Sequence, residues 1–465
     1  MVSPTLSIPD GKPAGNPSGR RSGSPTVAIQ THGCKLNQAD SDQLARQFIQ
    51  AGYRLVDSVA KADVYVLNTC TVTATADAKA RQALRAARRR NPQAVIVATG
   101  CYSQRAADEL NRMAAVSLVV PNTQKDDLVN LVSSKLPTIS PTSTPLPDKP
   151  DLNRSLPQIR GIRAGANAIS SAGRVRATIK IQEGCDQVCA YCIVPKVRGR
   201  ERSIPPDALV AQVNLQVAEG VKEIVLTGTQ LGTYGFDIAG ANLVAMLRRL
   251  LQETLAARLR VSSLQAHEIS PELLDLWQDS RLCPHFHVPL QSGSDRILKA
   301  MRRRYDTRQF AHTVDRIRAK VPDAAITTDI IVGFPGEEEA QFQESLNFAS
   351  SVAFSDTHVF PYSPRPGTSA AHLADTVTKQ EKRDRVGAIQ AMSRQHFLEF
   401  RASQLGQVRP VLWGTSRNRD GDSVRIGLTD NYIRVSAEYP SDLRNTITPA
   451  RLIETLGDTV IAQVL

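Results

Sequence analysis

The sequence predicts an α/β protein with three domains: an N-terminal parallel α/β domain, a central partial (β/α)6 barrel of the TIM type and a small all-β barrel at the C-terminus. Three observations lead to this prediction. Apolar runs alternate with helical patterns over residues 26–135, six longer strand–helix units follow within 174–402, and residues 403–465 carry strand patterns alone. A length of 465 residues agrees with three hydrophobic cores.

Two segments flank the N-terminal domain and are expected to be unfolded. Residues 1–25 form a lead rich in Pro, Gly and Ser that lacks the apolar centre of a secretory signal. Residues 136–173 form a linker that contains LPTISPTSTPLPDKP. Because no run of 18 apolar residues occurs, no membrane span is predicted. We therefore expect a cytoplasmic protein whose cysteines serve metal binding or catalysis rather than disulfides.

A cysteine follows each of the first three predicted strands of the N-terminal domain. The strands are TVAIQ (26–30), VYVLN (64–68) and AVIVATG (94–100), and the cysteines are Cys34, Cys70 and Cys101. The C-terminal ends of parallel strands share one edge of the sheet, so we expect the three thiols to meet there. One cysteine at such a junction would be ordinary packing, but three in succession indicate a three-thiolate iron–sulfur cluster with one open iron.

The central domain begins with a second group of three cysteines. Its strands are predicted at 177–182, 223–228, 258–264, 286–290, 326–333 and 356–360, and EGCDQVCAYCIVP follows the first of them. Structural zinc needs four protein ligands, whereas this loop supplies Cys185, Cys189 and Cys192 alone. A 4Fe–4S cluster held by three thiolates leaves its fourth iron free for a small chelating ligand. Cys283 belongs to neither group and is expected to be a buried core thiol.

The last domain is predicted from four strand patterns, VRPVLWG, VRIGL, YIRVSA and TVIAQVL, with turns such as NRDGD (418–422).

Positive charge points to a polyanionic partner, most simply a nucleic acid. The net charge is +12, and it collects in residues 78–90, 196–202 and 299–304, although any one of these runs could be a solvated face. The C-terminal domain has seven arginines and seven acidic residues and is therefore net neutral. RNA contact there would need a local face of arginines, for which the candidates are Arg417, Arg419, Arg425 and Arg434. The candidate RNA contacts are Arg81, Arg85, Arg88, Arg89, Arg302, Arg303, Arg417 and Arg419.

The spacing of Cys185, Cys189 and Cys192, with Tyr191 before the last cysteine, strongly resembles the radical S-adenosylmethionine (SAM) superfamily. The resemblance implies that the open iron binds SAM and that one electron cleaves SAM to a 5′-deoxyadenosyl radical. It also places Tyr191 near the adenine of SAM. Residues of PLQSG and VGFPGE follow predicted strands and are expected to line the SAM pocket, namely Gln291, Ser292, Gly293, Gly333 and Pro335. His285, His287 and Asp329 are either ligand contacts or structural polar residues.

The pairing of the two domains resembles the methylthiotransferases, over nearly all of residues 26–465. This resemblance implies an auxiliary 4Fe–4S cluster on Cys34, Cys70 and Cys101 and a C-terminal TRAM domain. CKLNQ (34–38), NTCTVT (68–73) and HVFPYSPRPGT (358–368) look most like the MtaB-type branch. That branch methylthiolates carbon 2 of N6-threonylcarbamoyladenosine next to the anticodon of tRNA. Ile204 and the pair Gln265-Ala266 depart from the family pattern, so no SAM or substrate contact is carried over to them.

The resemblance also implies the partners and a geometric requirement. The partners are the tRNA anticodon loop, an electron donor such as flavodoxin or ferredoxin, and a sulfur source, and we expect a monomer. One SAM would methylate the sulfur at the auxiliary cluster and a second would provide the radical, so the two triads must face each other across the barrel mouth.

Other functions stay open at this point. MiaB-type enzymes act on isopentenyladenosine in tRNA, RimO-type enzymes act on an aspartate of a ribosomal protein, and both would carry the same cysteines. A non-radical iron–sulfur protein that binds RNA or transfers electrons is the alternative from another class.

Overall fold

The computed structural model describes residues 24–136, 175–419 and 422–465, with the backbone alone for residues 415–419, 422 and 423. The predicted lead and linker lie almost entirely outside these ranges, as do the side chains of Arg417 and Arg419. The domain bounds 26–135, 174–402 and 403–465 stay predictions.

The N-terminal domain is a five-stranded parallel sheet covered by helices. Its strands, in the order β2-β1-β3-β4-β5, are β1 (Thr26–Thr31), β2 (Arg54–Leu55), β3 (Val64–Thr69), β4 (Val95–Gly100) and β5 (Leu118–Val120). Its helices are α1 (Lys35–Gln50), α2 (Ala74–Arg90), α3 (Cys101–Arg105), α4 (Ala107–Asn111) and α5 (Leu128–Ser133). Every residue of the central strand β3 is buried, which explains its continuous apolar pattern. The strand order reverses between β1 and β3, which is where such sheets open a crevice for ligands.

The central domain is an open barrel of six parallel strands. They are β6 (Arg176–Lys180), β9 (Glu223–Thr227), β10 (Arg258–Val261), β11 (His285–His287), β12 (Ala325–Val332) and β13 (Asp356–Pro361). Parallel bridges from Leu259 to Leu282 and from Ser263 to His287 join the two three-stranded halves. A short antiparallel pair, β7 (Gln182–Glu183) and β8 (Arg202–Ser203), stands apart from the barrel wall.

Helices cover the outside of this barrel and pack their apolar faces on its strands. They are α7 (Pro206–Ala218), α8 (Leu243–Glu253), α9 (Pro271–Asp275), α10 (Asp295–Ala300), α11 (Thr307–Lys320), α12 (Glu339–Val352) and α13 (Lys379–Ser403). The short helix α6 (Val194–Arg198), between β7 and β8, packs on the N-terminal domain instead. Short 3-10 helices lie at Val59–Lys61, Asn122–Asp127, Leu231–Thr233, Ala266–Glu268, Leu276–Gln278 and Ser369–His372.

The C-terminal domain is a closed five-stranded barrel, which leaves no free sheet edge. Its strands, in the order β14-β15-β16-β18-β17, are β14 (Val408–Arg419), β15 (Asp422–Thr429), β16 (Arg434–Glu438), β17 (Ile447–Leu456) and β18 (Thr459–Val464). Tyr432, in the turn between β15 and β16, inserts into the base of the central barrel. Its ring stacks on His285 at 4.4 Å between centroids, and the guanidinium of Arg260 lies 4.9 Å from its centroid.

The predicted fold class is confirmed, with differences at four elements. Helix α1 begins at Lys35 and not near Ser41, because its buried Asn37 and Asp40 find partners on neighbouring segments. The helix predicted from Gln104 is two short helices, since the backbone leaves the helical region at Ala106. Strands β2 and β17 were not predicted. Among the described residues, no helix combines the length and apolarity that a bilayer-spanning segment requires.

Candidate functional site

The first cysteine triad lies on a loop whose ends are tied together. Strands β7 and β8 pair in register at Gln182–Ser203 and Glu183–Arg202, so they close the loop of residues 184–201 at its base. Gly184 begins this loop with φ of +81°, and a Cβ there would lie 1.8 Å from the carbonyl oxygen of Arg200. The chain can therefore turn into the cysteine loop only with glycine at this position.

The thiols of this loop lie near one another in a desolvated environment. The N–H of Cys192 donates to the carbonyl of Cys189 at 3.1 Å, which curls the second half of the motif into a turn. Burial raises the pKa of Cys185 to about 11 and the pKa of Cys192 to about 12, and the neighbouring thiols add to both rises. Such thiols stay protonated at neutral pH unless a metal displaces the proton. Three clustered soft donors suit iron in a 4Fe–4S cluster.

A cation lies against this triad, and the sequence alone did not predict it there. The guanidinium Nη1 of Arg303 is 3.4 Å from Sγ of Cys189 and 3.5 Å from the hydroxyl of Tyr191. Its Nη2 donates to Oε1 of Gln265 at 2.9 Å, and Gln265 donates in turn to Gln187 of the cysteine loop. Arg303 therefore points inward, toward the first triad and away from the phosphate contact expected of the run 299–304. Gln265, which departs from the family pattern, is part of the support of this loop.

The second triad comes together at the crevice of the N-terminal sheet. Cys34, Cys70 and Cys101 follow β1, β3 and β4, and all three line one cavity of about 540 Å³. Burial raises the pKa of Cys70 to about 12, with the other two thiols adding to the rise. Burial also raises the pKa of Cys101, although Arg198 and Lys125 act in the opposite direction. The donor set again is three thiols, since Cys283 lies buried near Arg260 in the central barrel.

The two triads are brought close by contacts between α6 and the N-terminal domain. Ile193, which follows Cys192, and Val197 form a buried apolar cluster with Cys101. One turn further, the buried Arg198 donates to Asn37 at 3.1 Å and to Asp40 at 3.1 Å on helix α1. Helix α6, which follows the first triad, therefore packs on the second triad.

A second tie lies on the other side of the cavity. Arg365, which follows β13, donates to the hydroxyl of Thr71 at 3.1 Å and pairs with Asp77 of α2. Arg105 also pairs with Asp77, at 2.8 Å. Because Thr71 is adjacent to Cys70, these bonds fix the position of the Cys70 loop against the barrel. Neither contact was predictable, because the partners are distant along the chain: Arg198 stood out only as part of the basic run 196–202, and Arg365 was not singled out.

The opposite wall of the cavity is formed by the C-terminal ends of the barrel strands. It consists of Thr227, Gly228 and Thr229 after β9, of Ser262 and Ser263 after β10, and of three polar side chains from β11, β12 and β13. These are His287, Asp329 and His358. The Nε2 of His287 and the Nδ1 of His358 each lie 3.2 Å from a different oxygen of Asp329. His287 and Asp329 were noted in the sequence, whereas His358 was not.

The residues expected to contact SAM lie in two groups. Tyr191 packs against an apolar cluster that contains Phe334, the residue between Gly333 and Pro335, so these positions belong to one region near the first triad. Ser292 and Gly293 instead lie against helix α12. The hydroxyl of Ser345 on that helix lies 2.9 Å from the Ser292 hydroxyl and accepts from the Gly293 N–H at 3.0 Å. Gln291 has φ of +70° and joins the backbone of Asp329 and Ile331. The SAM contacts stay predictions. The close approach of α12 explains why residue 293 is a glycine, since a Cβ there would lie 2.8 Å from Ser345.

The arginines expected to bind RNA differ in their surroundings. Arg85, Arg89 and Arg302 are exposed. Arg88 donates to the carbonyls of Pro92 and Ala94 and to Ser117, and Arg81 bonds to Tyr102 and Glu109, so both hold the N-terminal domain together.

Comparisons with known proteins agree with this geometry. Residues 26–121 match the "Uncharacterized protein family UPF0004", and residues 179–349 match the Radical SAM superfamily. The chain is 35% identical to "Threonylcarbamoyladenosine tRNA methylthiotransferase MtaB" of Bacillus subtilis, over 92% of this chain and 94% of that protein. It is 38% identical to the protein of the same name from Aquifex aeolicus, over 89% and 96%.

More distant relatives extend the comparison. The chain is 33% identical to "tRNA-2-methylthio-N(6)-dimethylallyladenosine synthase" of Methylacidiphilum infernorum, over 94% of both proteins. The radical SAM methyltransferase TsrM of Kitasatospora setae, solved with cobalamin and a [4Fe-4S] cluster, superposes with a TM-score of 0.52 at 15% identity over 75% of this chain and 77% of TsrM. That likeness concerns the fold alone. With both family matches and relatives above 30% identity along almost its whole length, the chain belongs to the radical SAM methylthiotransferase family.

Proposed function

We propose that this protein methylthiolates carbon 2 of N6-threonylcarbamoyladenosine in tRNA. The observation that carries the proposal is the cavity that Cys34, Cys70 and Cys101 share with the C-terminal ends of the barrel strands, next to the loop of Cys185, Cys189 and Cys192. The relatives named MtaB, at 35% and 38% identity over most of the chain, favour threonylcarbamoyladenosine over the dimethylallyl nucleoside.

The donor sets fit two 4Fe–4S clusters. Each set has three thiols, of which only Cys34 is exposed, and lacks a fourth protein cysteine, so one iron of each cluster would be open to SAM or to sulfur. Cys185, Cys189 and Cys192 would hold the cluster that binds SAM, and Cys34, Cys70 and Cys101 would hold the auxiliary one. When bound, the clusters and SAM supply one-electron chemistry, a hydrogen-abstracting radical and the methylthio group. Such chemistry is needed because carbon 2 of adenine is neither acidic nor electrophilic.

The side chains around the cavity have separate tasks in this proposal. Arg303 places a positive charge against Cys189 and restrains the loop through Gln265. Arg198 and Arg365 hold the two domains at a constant separation, so that the base enters between the triads. Walls made by Ile193, Val197 and the strand ends restrict water around the reacting atoms, which protects a radical from side reactions.

Anaerobic reconstitution with iron and sulfide tests this assignment of the cysteines. We expect about eight irons per chain in the wild type and about four in either triple cysteine-to-alanine variant. Only the variant lacking Cys34, Cys70 and Cys101 should still cleave SAM to 5′-deoxyadenosine under reducing conditions. Cleavage by the variant lacking Cys185, Cys189 and Cys192 would overturn the assignment, and absence of cleavage by the wild type would favour the non-radical alternative.

Mass spectrometry of tRNA nucleosides tests the substrate. A strain that lacks this gene should lose the methylthio form of threonylcarbamoyladenosine and keep every other methylthio nucleoside. Loss of methylthio-isopentenyladenosine instead would indicate a MiaB-type enzyme. Unchanged tRNA together with loss of a methylthio-aspartate from a ribosomal protein would indicate a RimO-type enzyme.

We further infer that the protein works as a cytoplasmic monomer. It would take electrons from a carrier such as flavodoxin or ferredoxin and sulfur from a separate source. The radical SAM chemistry requires the electron, and product formation consumes one sulfur atom per turnover.

A further inference from the structure

A second space opens behind the cysteine cavity, inside the central barrel. It consists of two adjoining cavities of about 530 and 390 Å³ that share Lys35, Arg176 and Tyr432. We call it the barrel chamber; its polar wall is formed by Lys35, Arg176, Arg260, His285, His358 and Tyr432. Lys35, His287 and His358 also line the cysteine cavity, so the two spaces are continuous.

The chamber wall carries cationic and nitrogen groups whose hydrogen-bonding capacity is only partly used by the described residues. Lys35 is surrounded by protein yet faces the open chamber, and no ion pair ties it to a carboxylate in the described part of the chain. Arg176 lies 3.7 Å from Glu223 and keeps 39% of its side chain exposed. Two buried nitrogens on the chamber wall, Nη1 of Arg260 and Nδ1 of His285, have no hydrogen-bond partner among the described residues.

Three carboxylates also line the wall, against the five cationic side chains of Lys35, Arg176, Arg260, Arg401 and Arg434. Asp42 accepts from Gln38 at 2.9 Å, Asp356 accepts from the N–H of Thr357 at 2.8 Å, and Asp458 pairs with Arg394. The phenol of Tyr432 lies in a positive electrostatic potential. Burial alone would raise its pKa, yet the charges of Lys35, Arg176 and Arg260 lower the pKa below its usual value. The chamber is therefore suited to an anion.

His358 is positioned between the chamber and the cysteine cavity. Its Nδ1 bonds to Asp329 at 3.2 Å, and in the part of the chain that the structure describes no residue bonds to its Nε2. His287 differs, because Thr327 and Asp329 engage its two ring nitrogens at 2.9 and 3.2 Å. Asp329 thus orients the His358 ring and favours its charged form, which leaves one N–H free for a ligand.

We propose that the barrel chamber binds the carboxylate of the amino-acid substituent on N6 of the target adenosine, through Lys35, Arg176 and His358. This inference rests on the proposed function and deepens it. The threonylcarbamoyl group is anionic, whereas the dimethylallyl group that other family members act on is apolar. Lys35, the partly exposed Arg176 and the Nε2 of His358 would gain charge-assisted hydrogen bonds with the anionic group, whereas the apolar group would cost these side chains hydration without compensation.

The sharpest test changes the charge of the ligand and leaves its shape nearly intact. Three synthetic anticodon stem-loop RNAs would carry threonylcarbamoyladenosine, its methyl ester or unmodified adenosine. Binding to the reconstituted full chain is measured by fluorescence anisotropy, and methylthiolation is measured by mass spectrometry. Wild-type protein should bind the ester at least about tenfold more weakly than the acid, because a charge-assisted hydrogen bond is lost.

Variants assign the effect to named residues. Arg176→Met and His358→Leu should each weaken binding of the acid by about tenfold and leave binding of the ester nearly unchanged, which a general loss of structure would not do. Lys35 is left intact because it adjoins Cys34. Arg248→Met is the matched control: Arg248 lies on α8, outside the barrel, and pairs with Glu272, so this variant should bind both RNAs like the wild type.

The outcomes separate this inference from the proposed function. Equal binding of acid and ester by the wild type would overturn the inference, and so would equal weakening of both by the variants. The proposed function would still stand in either case if the acid RNA were methylthiolated. No methylthio product from any of the three RNAs would overturn the proposed function and the inference with it.

Discussion

Single side chains next to the two triads supply charges and restraints that the cysteines lack. Arg303 and Arg198 each place a guanidinium near one triad, and Gly184 permits the turn that begins the first loop. The spacing of the cysteines predicted both triads, because each group follows a strand whose apolar pattern is visible. Arg303 was expected to contact RNA, and its place beside the cysteines was not predictable, since it meets Cys189 across 114 positions of the chain.

The charge of Arg303 should tune the first cluster. Arg303→Met removes a cation 3.4 Å from Sγ of Cys189, and a nearby cation favours the more negative, reduced state of a cluster. We expect the midpoint potential to fall by about 60 mV, a tenfold change for a one-electron couple, with iron content unchanged. A redox titration followed by electron paramagnetic resonance measures the potential. Arg304→Met, at the exposed neighbouring position, is the control and should leave the midpoint potential unchanged. An unchanged potential in Arg303→Met would show that Arg303 does not tune the cluster.

Gly184 should be intolerant of any side chain. In Gly184→Ala the new Cβ would clash with the carbonyl of Arg200, so we expect a loss of about 3 kcal/mol of unfolding free energy and poor iron uptake by the first triad. Gly52→Ala is the matched control, because Gly52, at the end of α1, also has a positive φ, of +85°, but open space where the Cβ would lie. It should cost only about 1 kcal/mol. Urea unfolding of both variants decides, and equal losses would contradict the steric argument.

At the level of elements, the strands were predictable and the contacts between elements were not. Strands β1, β3 and β4 and the six barrel strands stand out as apolar runs of the length that a buried parallel sheet requires. Strand β2 has two residues, too few for any periodic pattern. The first two turns of α1 carry Asn37 and Asp40, which look like loop residues until Asn68 and Arg198 supply their partners.

The contact between α1 and the central barrel should depend on one carboxylate. Asp40 is buried and bonds to Lys125, Lys180 and Arg198 at 2.9, 2.8 and 3.1 Å. Asp40→Asn leaves Lys125 without its carboxylate partner and leaves Lys180 and Arg198 with Glu183 alone, so we expect the free energy of unfolding to fall by about 3 kcal/mol near pH 7. Asp57→Asn, at an exposed position paired with Lys61, should change nothing measurable.

The same carboxylate gives a pH dependence with a defined sign. Burial would raise the pKa of Asp40, but the three cations outweigh it and hold the pKa well below its ordinary value. The stabilisation is therefore present above the unfolded pKa of about 3.9 and is lost as the pH falls through the folded pKa. The difference between wild type and Asp40→Asn should be constant from about pH 6 to pH 8 and should shrink only below about pH 4. A difference that changed near pH 6 would point to another group.

On the scale of the whole molecule, three domains surround one connected space. The N-terminal sheet contributes its crevice, the central barrel contributes its strand ends, and Tyr432 of the C-terminal barrel closes the base of the chamber. Domain order was visible in the sequence, but the insertion of Tyr432 was not, because nothing local marks a turn residue as a stacking partner of His285. The arginines of the chain likewise fall into two groups: some bond within the protein and stabilise it, and others are exposed to solvent.

That division predicts which arginines govern the salt dependence of tRNA binding. Arg302 is exposed, and the carbonyl of its neighbour Met301 accepts from Ala190 in the first cysteine loop at 3.0 Å, so it lies near the entrance to the site. Each phosphate contact contributes about −0.9 to the slope of log affinity against log salt. Arg302→Ala should therefore flatten the slope by about 0.9 and weaken binding at low salt, whereas Arg248→Ala on the outer helix α8 should do neither. Titrations of full-length tRNA at several salt concentrations measure both slopes. Equal slopes in the two variants would show that the entrance beside the first triad does not contact the RNA backbone.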